Sequence, residues 1–202
     1  MKTITSLKQQ VKNAKRVNVY LDGQFYIGLD LLTVMKLRLK EGMQVDENTL
    51  ISAQVLDETN GCFDIALNYI SKSLKTKKEI TDKLLLKGYS EEVIIIVIKK
   101  LEEYGYVDDK IYAEKFYETY KNSLGEKAIR YKLFQKGVEE KVINELFSNV
   151  DFDISVPKKI AEKYLKNKQI TSQNLAKCYK YLLSKGFSYS VANEIISKYK
   201  QD

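Results

Sequence analysis

The chain has no histidine, no tryptophan, one proline and two cysteines in 202 residues. Without histidine it lacks the side chain most used as a general base and as a zinc ligand, which argues against zinc chemistry and against nucleophile–histidine catalysis. Cys62 and Cys178 are far apart in sequence, and the N-terminal segment MKTITSLKQQ lacks the apolar core of a signal peptide. A disulfide is therefore not expected, and the cytoplasm is the expected compartment. A single proline, Pro157, and the absence of Gly/Ser-rich stretches argue against flexible linkers and disorder. The longest apolar run, VIIIVI at 93–98, falls far short of the roughly 18 residues of a membrane span, so no membrane partner is expected. Neither GxxxxGK[ST] nor GxGxxG occurs. YVDD (106–109) pairs two carboxylates, but an aspartate ahead of an apolar-periodic run reads as a helix N-cap. The residues thus suggest no catalytic group, no metal site and no cofactor, and the chain reads as a non-enzyme.

What is present is a repeated punctuation. Lys-Gly followed by a large apolar residue occurs at Gly88, Gly137 and Gly186, at equal intervals of 49 residues. Lysine then glycine suits a helix C-terminus: glycine takes positive φ cheaply at C′, and lysine faces the negative end of the helix dipole. In a Schellman turn the residue after glycine packs on the residue four before it. Those pairs are Tyr89 with Leu84, Val138 with Leu133 and Phe187 with Leu182, all apolar. Forward of each glycine, offsets of 5, 6, 9 and 10 are apolar in all three copies (Val93, Ile94, Val97 and Ile98 in the first), which traces one helix face. Backward, ALNY (66–69), AEKF (113–116) and AEKY (161–164) are expected to begin similar amphipathic stretches. The unit is then three helices in about 45–49 residues, the scale of helical repeat arrays. The β-branched run VIIIVI would locally suggest a strand, but its register with the related helices assigns it to a helix. That helix is expected either to be sandwiched between neighbours or to present Ile95 and Ile96 as a partner-binding ridge.

The first sixty residues differ. VNVYLDGQFYIGL (17–29) alternates around Asp22-Gly23, a strong hairpin signal. ITSLKQQV (4–11) could add a third strand, a short helix is expected after Asp30, and a helix opened by Asp46 is expected over 46–60. The expected fold is mainly α: three three-helix repeats (61–109, 110–153 and 154–202) preceded by a β-hairpin module (1–60).

Charge is uneven. The net +7 resides in residues 154–202, which carry ten lysines against three acidic residues, while the other segments nearly balance. Lys158, Lys159, Lys163, Lys166, Lys168, Lys177, Lys180, Lys185, Lys198 and Lys200 are interleaved with Tyr164, Tyr179, Tyr181, Tyr189 and Tyr199. Such a surface could attract phosphate backbones without reading sequence, with tyrosines stacking on unpaired bases. Alternatively the lysines solvate the helices and the tyrosines fill the core.

Taken together, ITDKLLLKGYSEEVIIIVIKKLEEYGYVDDKIYAEKF, LGEKAIRYKLFQKGVEEKVINELF and the leading RVNVYLDGQFYIGLDLLTVMKLRLKEGM resemble the RecX family of bacterial regulatory proteins. The resemblance implies tandem three-helix repeats and no catalytic residues. It implies binding to RecA and its modulation, usually inhibition, on the filament that RecA forms on single-stranded DNA. The chain departs from the family pattern at Tyr120 and Lys121, where an arginine is expected, and at Glu126, where proline often follows the glycine. Lys127 and Arg130 match a basic cluster of the second repeat. Together with Lys121 and the lysines of the third repeat, they are the expected contacts to RecA or to single- or double-stranded DNA. A monomer is the default expectation.

Overall fold

The computed structural model describes residues 1–148, 150 and 153–199. The chain divides into two compact units, Met1–Ser73 with Thr81–Tyr104, and Leu74–Ile80 with Gly105–Asp202. The architecture is mainly helical, with three three-helix repeats behind an N-terminal strand module.

In the first unit, β1 (Lys2–Gln10), β2 (Asn13–Leu21), β3 (Gln24–Asp30) and the short β4 (Gln44–Val45) form an antiparallel sheet in the order β3-β2-β1-β4. The β2–β3 turn is Asp22-Gly23, both residues at positive φ (48° and 86°), the backbone that two-residue hairpins favour. ITSLKQQV supplies the third strand as β1. One sheet face is apolar because strand side chains alternate: Ile4, Val17, Val19, Leu21, Ile27 and Leu29 are buried beneath it. On the other face Arg16, Asn18, Tyr20 and Gly28 are half-buried and Phe25 is exposed. Asp30 ends β3 and caps the short helix α1 (Leu31–Lys36), accepting from the Leu32 N–H at 2.8 Å.

The next helix differs from expectation. Instead of ending near residue 60, α2 runs unbroken from Glu47 to Ile70, opened by Asp46. ALNY is therefore the end of a helix rather than its start, and Ala113 and Ala161 likewise lie inside their helices. The physical reason is a continuous buried seam, Leu50, Ala53, Thr59, Cys62 and Ala66, with no proline to interrupt it. Gly61 sits in the helix interior, where an added Cβ would lie 3.3 Å from the Tyr89 hydroxyl. α3 (Lys77–Leu85) and α4 (Glu91–Glu103) complete the first repeat. VIIIVI is helical: Ser90 Oγ caps α4, and Val93, Ile94, Val97, Ile98 and Leu101 are buried along one face. Ile95 and Ile96 are exposed (67% and 47%), so sandwiching is overturned for these two side chains and they form a ridge.

The second unit holds α5 (Asp109–Tyr120), α6 (Glu126–Gln135) and α7 (Glu140–Ser148), then α8 (Ser155–Leu165), α9 (Ser172–Ser184) and α10 (Tyr189–Lys198). Each triplet has its own core, built on Ala113, Ile129, Leu133 and Ile143 in one and on Ala161, Cys178, Leu182 and Ile195 in the other.

All three Lys-Gly turns are Schellman turns with glycine at φ 84°, 81° and 88°. The Gly88, Gly137 and Gly186 N–H groups donate to Leu85, Phe134 and Leu183, each at 2.9 Å. The Tyr89, Val138 and Phe187 N–H groups donate to Leu84, Leu133 and Leu182 at 3.4, 3.1 and 3.3 Å. Within the second unit the later two turns also make joints. The Lys136 carbonyl accepts from the Thr76 hydroxyl at 2.7 Å, and the Lys185 carbonyl accepts from the Gly125 N–H at 2.8 Å. Thr76 and Gly125 each immediately precede the second helix of their repeat and are themselves 49 residues apart. Thr76 and Glu79 also cap α3 reciprocally, the Thr76 N–H donating to Glu79 Oε2 (3.2 Å) and the Glu79 N–H to Thr76 Oγ1 (3.1 Å). The two aspartates of YVDD separate: Asp108 caps α5, as expected of one of them, while buried Asp109 accepts from the Lys77 N–H at 2.9 Å.

Candidate nucleic-acid and protein interface

Seven expected contact lysines of the third repeat, Lys158, Lys159, Lys163, Lys166, Lys168, Lys177 and Lys180, are all exposed. Lys159, Lys163 and Lys166 are spaced by four and three residues and so share one face at α8. Lys177 and Lys180 share the exposed side of α9. Lys158 Nζ lies 4.0 Å from Glu162, a solvent-screened pair of little energetic weight. Lys200 lies outside the described residues.

The tyrosines divide. Tyr164 and Tyr181 stack on each other with centroids 4.8 Å apart, Lys168 over the first ring at 3.2 Å and Lys185 over the second at 5.3 Å. Tyr179 and Tyr199 pack against the core of the third repeat. Of the five, Tyr189 alone is exposed (64%), and Lys127 Nζ sits 5.1 Å from its ring centroid.

Lys127 and Arg130 lie on α6 and line one cleft of about 450 Å³ with Pro157, Phe187 and Val191. Arg130 is engaged internally. Its Nε donates to Glu126 Oε1 at 2.6 Å, its Nη1 donates to Asn144 Oδ1 at 2.7 Å, and the guanidinium lies 4.5 Å from the Phe147 ring centroid. It braces α6 against α7, so an external partner would have to displace those bonds. Lys121 caps the end of α5 and pairs with Glu118 at 2.7 Å. That hydrogen bond raises the lysine above its ordinary pKa, and Lys121 does not line the cleft.

Two residues escaped the sequence reading. Tyr131 and Phe134 are 62% and 66% exposed and continue the stripe that begins at Lys127, at spacings of four and three. The signal was available, since they fall off the buried positions Ile129 and Leu133.

A β-hairpin module leading into three-helix units, with a cationic, partly aromatic surface, defines a helical-repeat protein. The chain belongs to the RecX family. Residues 2–46 match the regulatory protein RecX N-terminal domain, 62–109 the RecX first three-helix domain and 108–146 the RecX second three-helix domain. The chain is 35% identical to the regulatory protein RecX of Clostridium botulinum (strain Alaska E43 / Type E3) over 98% of this chain and 96% of that one. It is 30% identical to that of Bacillus licheniformis, covering 98% and 78%. A crystal structure of regulatory protein RecX superposes with a TM-score of 0.70 at 28% identity, covering 96% of this chain and 98% of the other. A crystal structure of RecX from Lactobacillus salivarius gives 0.65 at 30% identity, covering 73% and 99%. The protein is thus a RecX-family regulator. Among the described residues no helix is long and apolar enough to cross a membrane.

Proposed function

We propose that this regulator binds the RecA filament on single-stranded DNA and lowers its ATPase, recombinase and co-protease output, without chemistry of its own. The observation that carries the DNA half of this reading is the third repeat. Its described residues 154–199 hold nine lysines against two glutamates, Glu162 and Glu194. Lysines at this density attract a phosphate backbone without base readout, on single or double strands. The family match supports the RecA half. Contacts to protein and to DNA by one chain reinforce each other through effective concentration, so neither needs to be strong alone.

The test is to titrate the protein, acting as a monomer, into RecA on single-stranded DNA and follow ATP hydrolysis and filament length. Both should fall. The double charge reversal Lys159→Glu/Lys163→Glu should weaken DNA binding and blunt the effect. If saturating protein changes neither readout, the RecA reading is wrong. Exposed lysines with DNA binding alone would then favour a stand-alone, non-sequence-specific nucleic-acid-binding protein.

A further inference from the structure

The first two strands of the N-terminal sheet are wholly basic in their charge. Residues 1–21 contain five basic residues and no acidic one. Of the five, Lys2 pairs with Glu47 at 3.4 Å. Lys8, Lys12, Lys15 and Arg16 lie toward the β1–β2 turn, and the three lysines are exposed.

The strand register assembles the outer face. Ser6 opposes Tyr20, and Tyr20 opposes Phe25, so these three form one row across β1, β2 and β3. Lys8 opposes Asn18, and Asn18 opposes Gly28, forming the next row. Directly opposed residues share a face, so the two rows are adjacent. Tyr20 and Phe25 meet edge to face with centroids 5.9 Å apart, and Lys8 Nζ lies 5.2 Å from the Tyr20 ring centroid. Phe25 is 59% exposed and is not among the residues of the core beneath the sheet. The nearby carboxylates are committed within the fold. Asp22 accepts from the Thr3 N–H at 3.2 Å, and Asp30 caps α1. Arg16 Nη2 donates to the Gly28 carbonyl at 2.9 Å, and a Cβ added at Gly28 would lie 3.2 Å from the Gln10 side-chain nitrogen.

We propose that this sheet face is a second nucleic-acid site, taking single-stranded nucleic acid. Phe25 and Tyr20 stack on unpaired bases, while Lys8 beside the Tyr20 ring and the exposed Lys12 and Lys15 at the β1–β2 end of the sheet hold the phosphates. An exposed phenylalanine edge to face with a half-buried tyrosine, beside cations on an antiparallel sheet, supplies both halves of single-strand recognition, stacking and backbone neutralisation. Duplex DNA hides its base faces and would use only the lysines. The site belongs to the first unit and does not depend on the third-repeat lysines or on RecA.

The experiment uses the full-length protein and a fluorescein-labelled thymidine oligonucleotide, with binding followed by anisotropy over a range of salt. Lys12→Glu/Lys15→Glu should flatten the slope of log K against log salt by about 1.4, two phosphates at ~0.7 each. Phe25→Ala should weaken binding about tenfold and leave the slope unchanged. Ultraviolet cross-linking should place an adduct on Phe25 or Tyr20, a readout independent of any variant. Since the substituted positions are exposed, melting temperatures should stay within a few degrees of wild type. If either variant keeps wild-type affinity and slope, or adducts fall only on the third repeat, the sheet does not bind single strands. Its aromatic face would then belong to a protein partner.

Discussion

The Thr76 hydroxyl donates to the Lys136 carbonyl at 2.7 Å and in the same geometry accepts from the Glu79 N–H at 3.1 Å. Thr76 is fully buried, and both bonds are part-buried. Thr76→Val keeps the volume and removes the hydroxyl, leaving the Lys136 carbonyl without this donor and the Glu79 N–H without this acceptor. Urea unfolding should show a loss of about 1–3 kcal/mol. An unchanged midpoint would mean that water takes the place of the hydroxyl.

Glu79 gives the same joint a pH dependence. Burial alone would raise its carboxyl, but hydrogen bonds from Lys136 Nζ (2.5 Å) and the Thr76 N–H (3.2 Å) overcome that and hold it below its ordinary value. A carboxylate depressed in the folded state stabilises above its unfolded pKa, roughly 4.3, and loses that contribution as pH falls through the folded value. Wild type should therefore be more stable than Glu79→Gln at pH 7, and the gap should close below about pH 4. A gap that is constant from pH 7 to pH 3 contradicts the assignment.

The three equivalent glycines should not respond equally to substitution. At Gly88 an added Cβ meets nothing within 4 Å, so Gly88→Ala carries only the positive-φ cost of about 1–2 kcal/mol. At Gly137 the Cβ would run into the Lys78 side chain, and at Gly186 into Ala128. Those two alanine variants should lose a further ~1–3 kcal/mol through overpacking. Equal midpoints across the series would remove the distinction.

Arg130 should behave as a brace. Arg130→Lys keeps the charge but cannot reproduce the bonds to Glu126 and Asn144 together, because lysine lacks the planar fork. Stability should fall by about 1–2 kcal/mol, while the salt slope of DNA binding stays that of wild type. Arg130→Gln, which removes the charge, should also keep the wild-type salt slope; a slope flattened by about 0.7 in that variant would instead make Arg130 a phosphate contact.

The cysteines should be chemically silent in the folded protein. Both are buried and free, and burial pushes the Cys62 thiol up to about 11 and raises Cys178 as well. A disulfide-exchange reagent at pH 8 should label neither until denaturant is added, since the thiolate is the nucleophile.

How much of this was legible depended on range. The Schellman turns were readable because glycine, lysine and the C″–C3 pair lie within six residues, and their chemistry is carried by side-chain type. The Asp22-Gly23 hairpin was readable for the same reason. The joints were not, since the Lys136 and Lys185 carbonyls are backbone groups that every residue carries and no sequence pattern marks them. Asp109 was legible only as part of a carboxylate pair, because its role needs Lys77, 32 residues earlier. α2 was misjudged at Gly61, where tertiary packing under Tyr89 retains a glycine that local propensity treats as a break. Among the candidate contacts, exposed third-repeat lysines followed from composition. The internal bonds of Arg130 and the mutual stacking of Tyr164 and Tyr181 needed three dimensions.

The Gly125–Lys185 joint runs in one direction, with the later repeat contributing acceptors and the earlier one donors. A protein cut before residue 154 would thus do more than shed lysines. It would strip the Lys185 and Gly186 carbonyls from the Gly125 and Lys127 amides and expose the Ala128 side of α6 to water. Lys127, a candidate contact residue, sits on that same turn. Weakened binding by such a fragment would mix lost charge with a damaged helix start, whereas point charge reversals on α8 leave the seam closed. The polarity of the joint therefore makes truncation a confounded control for this molecule and surface substitution a clean one.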